Sequence, residues 1–203
     1  MTAATDQVAE SLRALERELD RQGSPFSSLA APPVDPRRLD EAEERVGRPF
    51  PSELRAWWLW HDGSVPQHGR LSAHLIGAGG FWPYPLEHAL GEWEWWSQAS
   101  PFRDHVVSEA TFKESWVPFA GAAQLTQLTA KLELSSSDRL VIGIVEMHPI
   151  GDFGATVDLS LAELIEGWID YLDAGHAWWD PDGDCWRYRV PPPPGYDVRL
   201  FFG

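Results

Sequence analysis

At 203 residues, with 43% hydrophobic and 23% charged residues, the chain has the size of one domain with additions and an ordinary globular composition, which excludes wholesale disorder and a fibrous class. Its formal charge is −15, and only Lys113 and Lys131 among its sixteen basic residues are lysines; such a field repels phosphate backbones, argues against direct nucleic-acid binding, and speeds encounter with a basic partner. The longest apolar run, Leu140 to Met147, already contains Gly143 and Glu146 and falls short of the roughly 18 to 20 residues of a membrane helix.

The first residues, MTAATDQVAES, show no basic stretch leading into an apolar one, so a cytoplasmic location is expected. The single cysteine, Cys185, can form neither an internal disulfide nor a thiolate metal site alone, which suits a reducing compartment.

Along the chain, Val8, Leu12, Leu15 and Leu19 recur at spacings of four, three and four, and predict an amphipathic helix over residues 5 to 21. Gly23 to Pro36 reads as a surface connector. Asp35 caps a helix with Pro36 at its first position and Leu39, Ala42 and Val46 on one face, and Gly47 ends it. Phe50-Pro51-Ser52-Glu53 opens a further helix in which Leu54, Trp57, Trp58 and His61 share a face before Gly63.

Leu71 to Ile76 reads as a strand, Gly77 to Gly80 as a turn or bulge, and residues 85 to 97 as a helix with Leu86, Ala89, Leu90, Trp93 and Trp96 roughly on one side. Strands are expected at Val117 to Phe119, Leu125 to Leu134, Leu140 to Met147 and Ala155 to Leu159, joined as an antiparallel meander. Ser160 and Glu163 form a capping box for a helix with the clearest apolar stripe in the chain, closed by Gly175. A hairpin around Asp180-Pro181-Asp182-Gly183, four prolines at 191 to 194 and an edge strand at Asp197 to Phe202 complete the order. Helices, then a run of strands, then a helix is the α+β pattern.

Signals for chemistry are weak. Gly77-Ala78-Gly79-Gly80 matches neither phosphate-loop spacing, and a plain turn accounts for it. Asp180, Asp182 and Asp184 start like a calcium loop, but Cys185 and Pro191 stand where the glycine and the bidentate acid belong. His61-Asp62 could be half of an acid/base pair, although a histidine at a helix C-terminus also complements the macrodipole. The remaining histidines lack zinc-helix spacing, no serine sits in a nucleophile elbow, and Cys185 reads as a small packed residue. No cofactor, metal or catalytic residue is indicated.

Twelve tryptophans are the anomaly. Trp57, Trp58, Trp116 and Trp168 fall at core-facing positions, whereas Trp82, Trp93, Trp95, Trp96, Trp178 and Trp179 include neighbours that cannot all face one way. Indoles beside Glu92, Glu94 and Asp180 have the chemistry of a binding hot spot, an aromatic anchor rimmed by charge, and Asp62 is grouped with them; a satellite core under a loop is the competing explanation.

The segment from Leu39 through Arg55, then Trp58-Leu59-Trp60-His61-Asp62-Gly63, resembles the opening of the SUKH superfamily: an acidic helix, a Leu-Gly-like step, a proline-initiated helix and a closing Asp-Gly. Trp116-Val117-Pro118-Phe119-Ala120 resembles the family's Trp-x-Pro strand entry, and Ser160 to Ile165 with Leu172-Asp173-Ala174-Gly175 its final helix. The N-terminal helix is similar to the extended form of the fungal cell-wall assembly regulators. Val46-Gly47 and Phe50-Pro51 replace the usual leucines, and Lys131-Leu132-Glu133-Leu134 stands where many members carry an aspartate.

The resemblance implies an α+β fold with N-terminal helices, a mostly antiparallel sheet, a C-terminal helix packed on it and here an added C-terminal hairpin. The expected organisation is residues 1 to 34 as helix and connector, 35 to 175 as the SUKH-like domain, and 176 to 203 as an extension. It further implies a non-enzymatic protein-binding domain, foremost an immunity protein neutralising a basic, nuclease-type toxin. A regulatory adaptor and a carbohydrate or small-ligand binder using tryptophan platforms are the alternatives.

Overall fold

The computed structural model describes residues 3–64, 74–76, 80–95, 97, 115–122, 126–134, 140–148, 151–157 and 159–189. Helix α1 (Ala3–Arg21) buries Val8, Leu12, Leu15 and Leu19 completely, as their spacing predicts, and packs against α4 (Ser52–Trp60) and α6 (Leu161–Asp173). These residues belong to the same apolar core as the sheet, so α1 is built into the fold. The connector is less irregular than expected: one helical turn, α2 (Phe26–Leu29), brings Phe26 into the core, where its ring stacks on Trp60 at 5.6 Å.

Helix α3 (Pro36–Val46) begins where the Asp35 side chain accepts the Arg37 N–H, and it ends at Gly47 in the left-handed region with φ 75°. Helix α4 buries both of two consecutive tryptophans because it is enclosed on two sides. Trp57 meets Phe119 of the sheet edge-on at 5.2 Å, and Trp58 packs on Phe50 and donates its Nε1–H to the Tyr84 carbonyl at 3.1 Å.

The main sheet has five strands in the order β1-β2-β3-β4-β5, all neighbours antiparallel: β1 (Phe81–Pro83), β2 (Trp116–Ala122), β3 (Thr126–Lys131), β4 (Ile142–His148) and β5 (Gly151–Val157). The meander is therefore extended by one edge strand. A strand at Leu71 to Ile76 does not hold for its described part, since His74, Leu75 and Ile76 form a bend closed by the Ile76 N–H to Phe81 carbonyl bond at 2.8 Å. Phe81–Pro83 takes the edge instead, directly after Gly80 with φ 61°; residues 71 to 73 and 77 to 79 lie outside the described set. Strand β5 starts at Gly151, earlier than expected, because Met147 pairs with Asp152 and His148 with Gly151.

The register of β2 on β3 shifts between Pro118 and Ala120. Proline has no N–H for the ladder, and a bulge is a common place for it. The carbonyl of Phe119 at that bulge accepts the Tyr84 N–H at 2.9 Å, which anchors the start of the next helix, α5 (Leu86–Glu94), to the sheet.

Val117, Phe119, Leu128, Ala130, Ile142 and Ile144 are buried in the core shared with the helices. Helix α6 opens with the Ser160–Glu163 capping box, and the buried Glu53 carboxylate accepts the Leu161 N–H at 3.3 Å. A separate two-stranded sheet, β6 (Ala177–Asp180) with β7 (Cys185–Tyr188), follows α6. It is fixed from below by Trp179 and Trp186 in the core and by the Trp186 Nε1–H donated to the Leu75 carbonyl at 3.2 Å. The proline run and the edge strand expected beyond it lie outside the described residues.

Candidate protein-binding surface

Helices α3 and α5 are laced together by charge. Arg45 donates to Glu94 at 2.7 Å and to Glu87 at 3.2 Å, while Arg38 reaches Glu87 at 3.5 Å and Asp62 at 3.4 Å. The Arg45 hydrogen bond holds the Glu94 carboxyl below the usual carboxylate range and raises Arg45 in turn. Asp62 also acts on the helix itself, because its Oδ1 accepts the Leu86 backbone N–H at 2.7 Å and so caps α5 from outside.

Glu92 faces the sheet side of α5. It accepts from the buried Gln127 amide at 3.0 Å, and its other oxygen lies 3.9 Å from His88 Nε2. Burial, reinforced by the negative charge of Glu92, pushes the Tyr84 phenol well above its ordinary value. The acids grouped around α5, Asp62, Glu92 and Glu94 among them, are thus engaged in hydrogen bonds and ion pairs within the fold.

The tryptophans divide. Trp93 and Trp179 are 8% and 6% exposed and pack in the core, so they are interior residues and not surface anchors. Trp82 is partly buried, tilted against Tyr84 at 5.6 Å. Trp95 and Trp178 are 44% and 41% exposed, the only large exposed aromatics among the described residues. Trp96 lies outside the described residues. Trp95 terminates α5, whereas Trp178 stands on the outer side of β6 opposite Arg187, so the two belong to separate elements.

Asp180 makes the hairpin turn. Its Oδ1 accepts the N–H groups of Asp182 and Gly183, each at 3.2 Å, and its Oδ2 accepts from Arg187 Nε at 3.0 Å. The Arg187 hydrogen bond, followed by the Gly183 N–H, lowers the Asp180 carboxyl from its ordinary value. Turn chemistry explains this aspartate cluster, and no group of three or more His, Cys, Asp or Glu among the described residues is placed to hold a metal ion.

His61 is also structural. Its Nδ1 lies 3.0 Å from the Ala31 carbonyl and its Nε2 3.2 Å from Glu16, which in addition accepts from Trp60 Nε1–H at 3.2 Å. The residue ties the end of α4 to α1 and the connector.

Four carboxylates outside the sequence-based set, Glu163, Glu166, Asp170 and Asp173, line the exposed side of α6. Their spacing of three, four and three is legible once the apolar stripe on the opposite side is assigned. The helix contains no lysine, arginine or histidine.

A family model described as SMI1 / KNR4 family (SUKH-1) matches residues 33–139, more than half of the chain. The chain belongs to the SMI1 / KNR4 family. No curated protein gives a significant match. In this SUKH-1 member the matched segment runs from the approach to α3 through β3, and contains the Asp62-Gly63 elbow and the Trp116–Phe119 strand entry. The elbow is structural: Gly63 has φ 63°, and a Cβ there would lie 2.3 Å from Pro85 N and 2.4 Å from the Tyr84 carbonyl carbon. No helix of the described residues is long and apolar enough to cross a membrane.

Proposed function

We propose that this SUKH-1 protein is a non-enzymatic, cytoplasmic binding domain of the immunity type, which neutralises a basic, nuclease-type toxin by covering it. The observation that carries the reading is the formal charge of −15 on a family-typical scaffold that also presents exposed indoles. A nuclease must offer a positive face to its phosphate substrate, so an acidic protein is steered to the same face and competes for it. Rigid aromatic side chains then supply contact area at small entropic cost, and the charge sets partner choice and on-rate.

The test is co-expression with a nuclease-type toxin domain encoded beside this gene. Rescue of growth, together with a stable complex that weakens as salt rises, supports the proposal. Turnover of a substrate by the purified chain, or relatives whose genes never neighbour a toxin, overturns it.

A further inference from the structure

The proposed function does not say which face meets the partner, and the two exposed indoles stand in different electrostatic settings. Around Trp95 the carboxylates of α5 are engaged: Glu87 and Glu94 by Arg45, Glu87 and Asp62 by Arg38, and Glu92 by Gln127. Asp62, Glu87 and Glu94 are thus held by two arginines supplied from α3, while Glu41 and Glu44 of α3 stay exposed.

The surface made by α6 and the β6–β7 hairpin is different. From Leu161 to Arg189 the sequence holds seven carboxylates against two arginines, Arg187 and Arg189. One of those arginines, Arg187, is already paired with Asp180. Asp173 lies in the last turn of α6, at the end where the helix dipole disfavours a carboxylate. Its cation, Arg21, is shared with Glu18, so two carboxylates face one guanidinium. Glu166 accepts from the neutral donors Ser11 and Gln7, which leaves its charge uncompensated. Asp170 and Asp182 are exposed.

Trp178 follows this stripe directly in the chain, after the Gly175 turn, on the outward side of β6. The inward side of the same hairpin is fixed by Trp179, Trp186 and the bond to Leu75, so the indole is displayed from a rigid base and loses little freedom when covered.

We infer that the α6 and β6–β7 face, with Trp178 as its aromatic anchor and Glu166, Asp170 and Asp173 as its charged flank, is where a basic protein partner docks. The inference rests on the proposed function for the nature of the partner and adds the location. Charge complementarity points to this face, because Glu166 and Asp170 make no ion pair among the described residues and Asp173 shares one guanidinium with Glu18, whereas Asp62, Glu87 and Glu94 must first release Arg38 and Arg45.

Cytochrome c serves as a basic probe, since its haem quenches indoles brought close to it. Titration at low salt, with amide exchange mapped in the complex, is expected to protect residues 161 to 189. Asp170→Asn with Asp173→Asn is expected to weaken binding about tenfold, and Trp178→Ala to weaken it further, whereas Glu87→Gln with Glu94→Gln changes it less than about twofold. Should a variant lose its fold, the protection map of the unmodified chain decides alone. Protection centred on α3 and α5, or no binding of the probe at low salt, overturns the inference. If toxin neutralisation persists in either case, the immunity reading stands while this face is rejected.

Discussion

The carboxylate of Asp62 accepts the backbone N–H of Leu86 at 2.7 Å, so a residue just past the end of α4 caps the first turn of α5, which begins 24 positions later. Pro85, at the cap position itself, offers no side-chain acceptor. Asp62 fills the role from a distance, and the adjacent Gly63 permits the approach. The Asp-Gly step that resembles the family pattern is therefore a joint between α4 and α5.

Replacing Asp62 by alanine removes a helix cap and leaves Arg38 with only Glu87. Asp62→Ala is expected to cost about 1 to 2 kcal/mol, and Asp62→Asn, which keeps an acceptor oxygen, less than half of that. Urea denaturation of the three proteins checks it, and equal losses in both variants would show that charge and not capping matters.

Gly63 allows no substitution of this kind. A side chain at Gly63 meets backbone atoms of Tyr84 and Pro85 in a conformation with positive φ. Gly63→Ala is expected to destabilise by more than about 2 kcal/mol, more than Asp62→Ala, because fixed backbone cannot move aside as a side chain can. Gly23, also at positive φ but with open space around its Cβ position, is the control: Gly23→Ala is expected to cost about 1 kcal/mol. Comparison of thermal midpoints separates the two.

The neighbouring indoles of α5 give opposite outcomes. Trp93→Ala opens a cavity in the core and is expected to cost about 3 to 5 kcal/mol, while Trp95→Ala at an exposed position is expected to stay within about 1 kcal/mol of the unmodified chain. Denaturation midpoints read this directly, and similar losses at both sites would refute the assignment of faces.

Acid should loosen the charged joints. The Glu94 and Asp180 carboxyls are lowered in the folded protein, by the hydrogen bonds of Arg45 and Arg187 respectively. A group with a lowered folded value contributes stability above its unfolded value and loses that contribution as pH falls through the folded one. Both contributions are thus present at neutral pH and disappear at the acid side of the ordinary carboxylate range. Carboxyl-carbon NMR titration is expected to show both midpoints moving upward in Arg45→Ala and Arg187→Ala, each at its own partner only.

The apolar spacing of α1 and α6, the proline and glycine punctuation of α3, the Ser160–Glu163 capping box and the hairpin turn at Asp180 were all legible from the order of residues. Each of these depends on neighbours a few positions apart, and near-neighbour geometry is what a sequence records directly. The short edge strand β1 was not legible, because three residues ending in proline carry no period of two and gain their pairing only from β2.

Which indole faces water was a tertiary decision. Trp93 and Trp95 sit two positions apart on one helix, and nothing local distinguishes them until the sheet takes up one side of α5. The acids followed the same rule: Glu94 reads as exposed negative charge in the sequence, yet Arg45, from a helix 49 residues away, engages it in the fold. The sequence alone determined the sum of the charge and the number of tryptophans. Long-range packing determined where both remain available, since burial and ion pairing depend on groups that only the folded chain brings together.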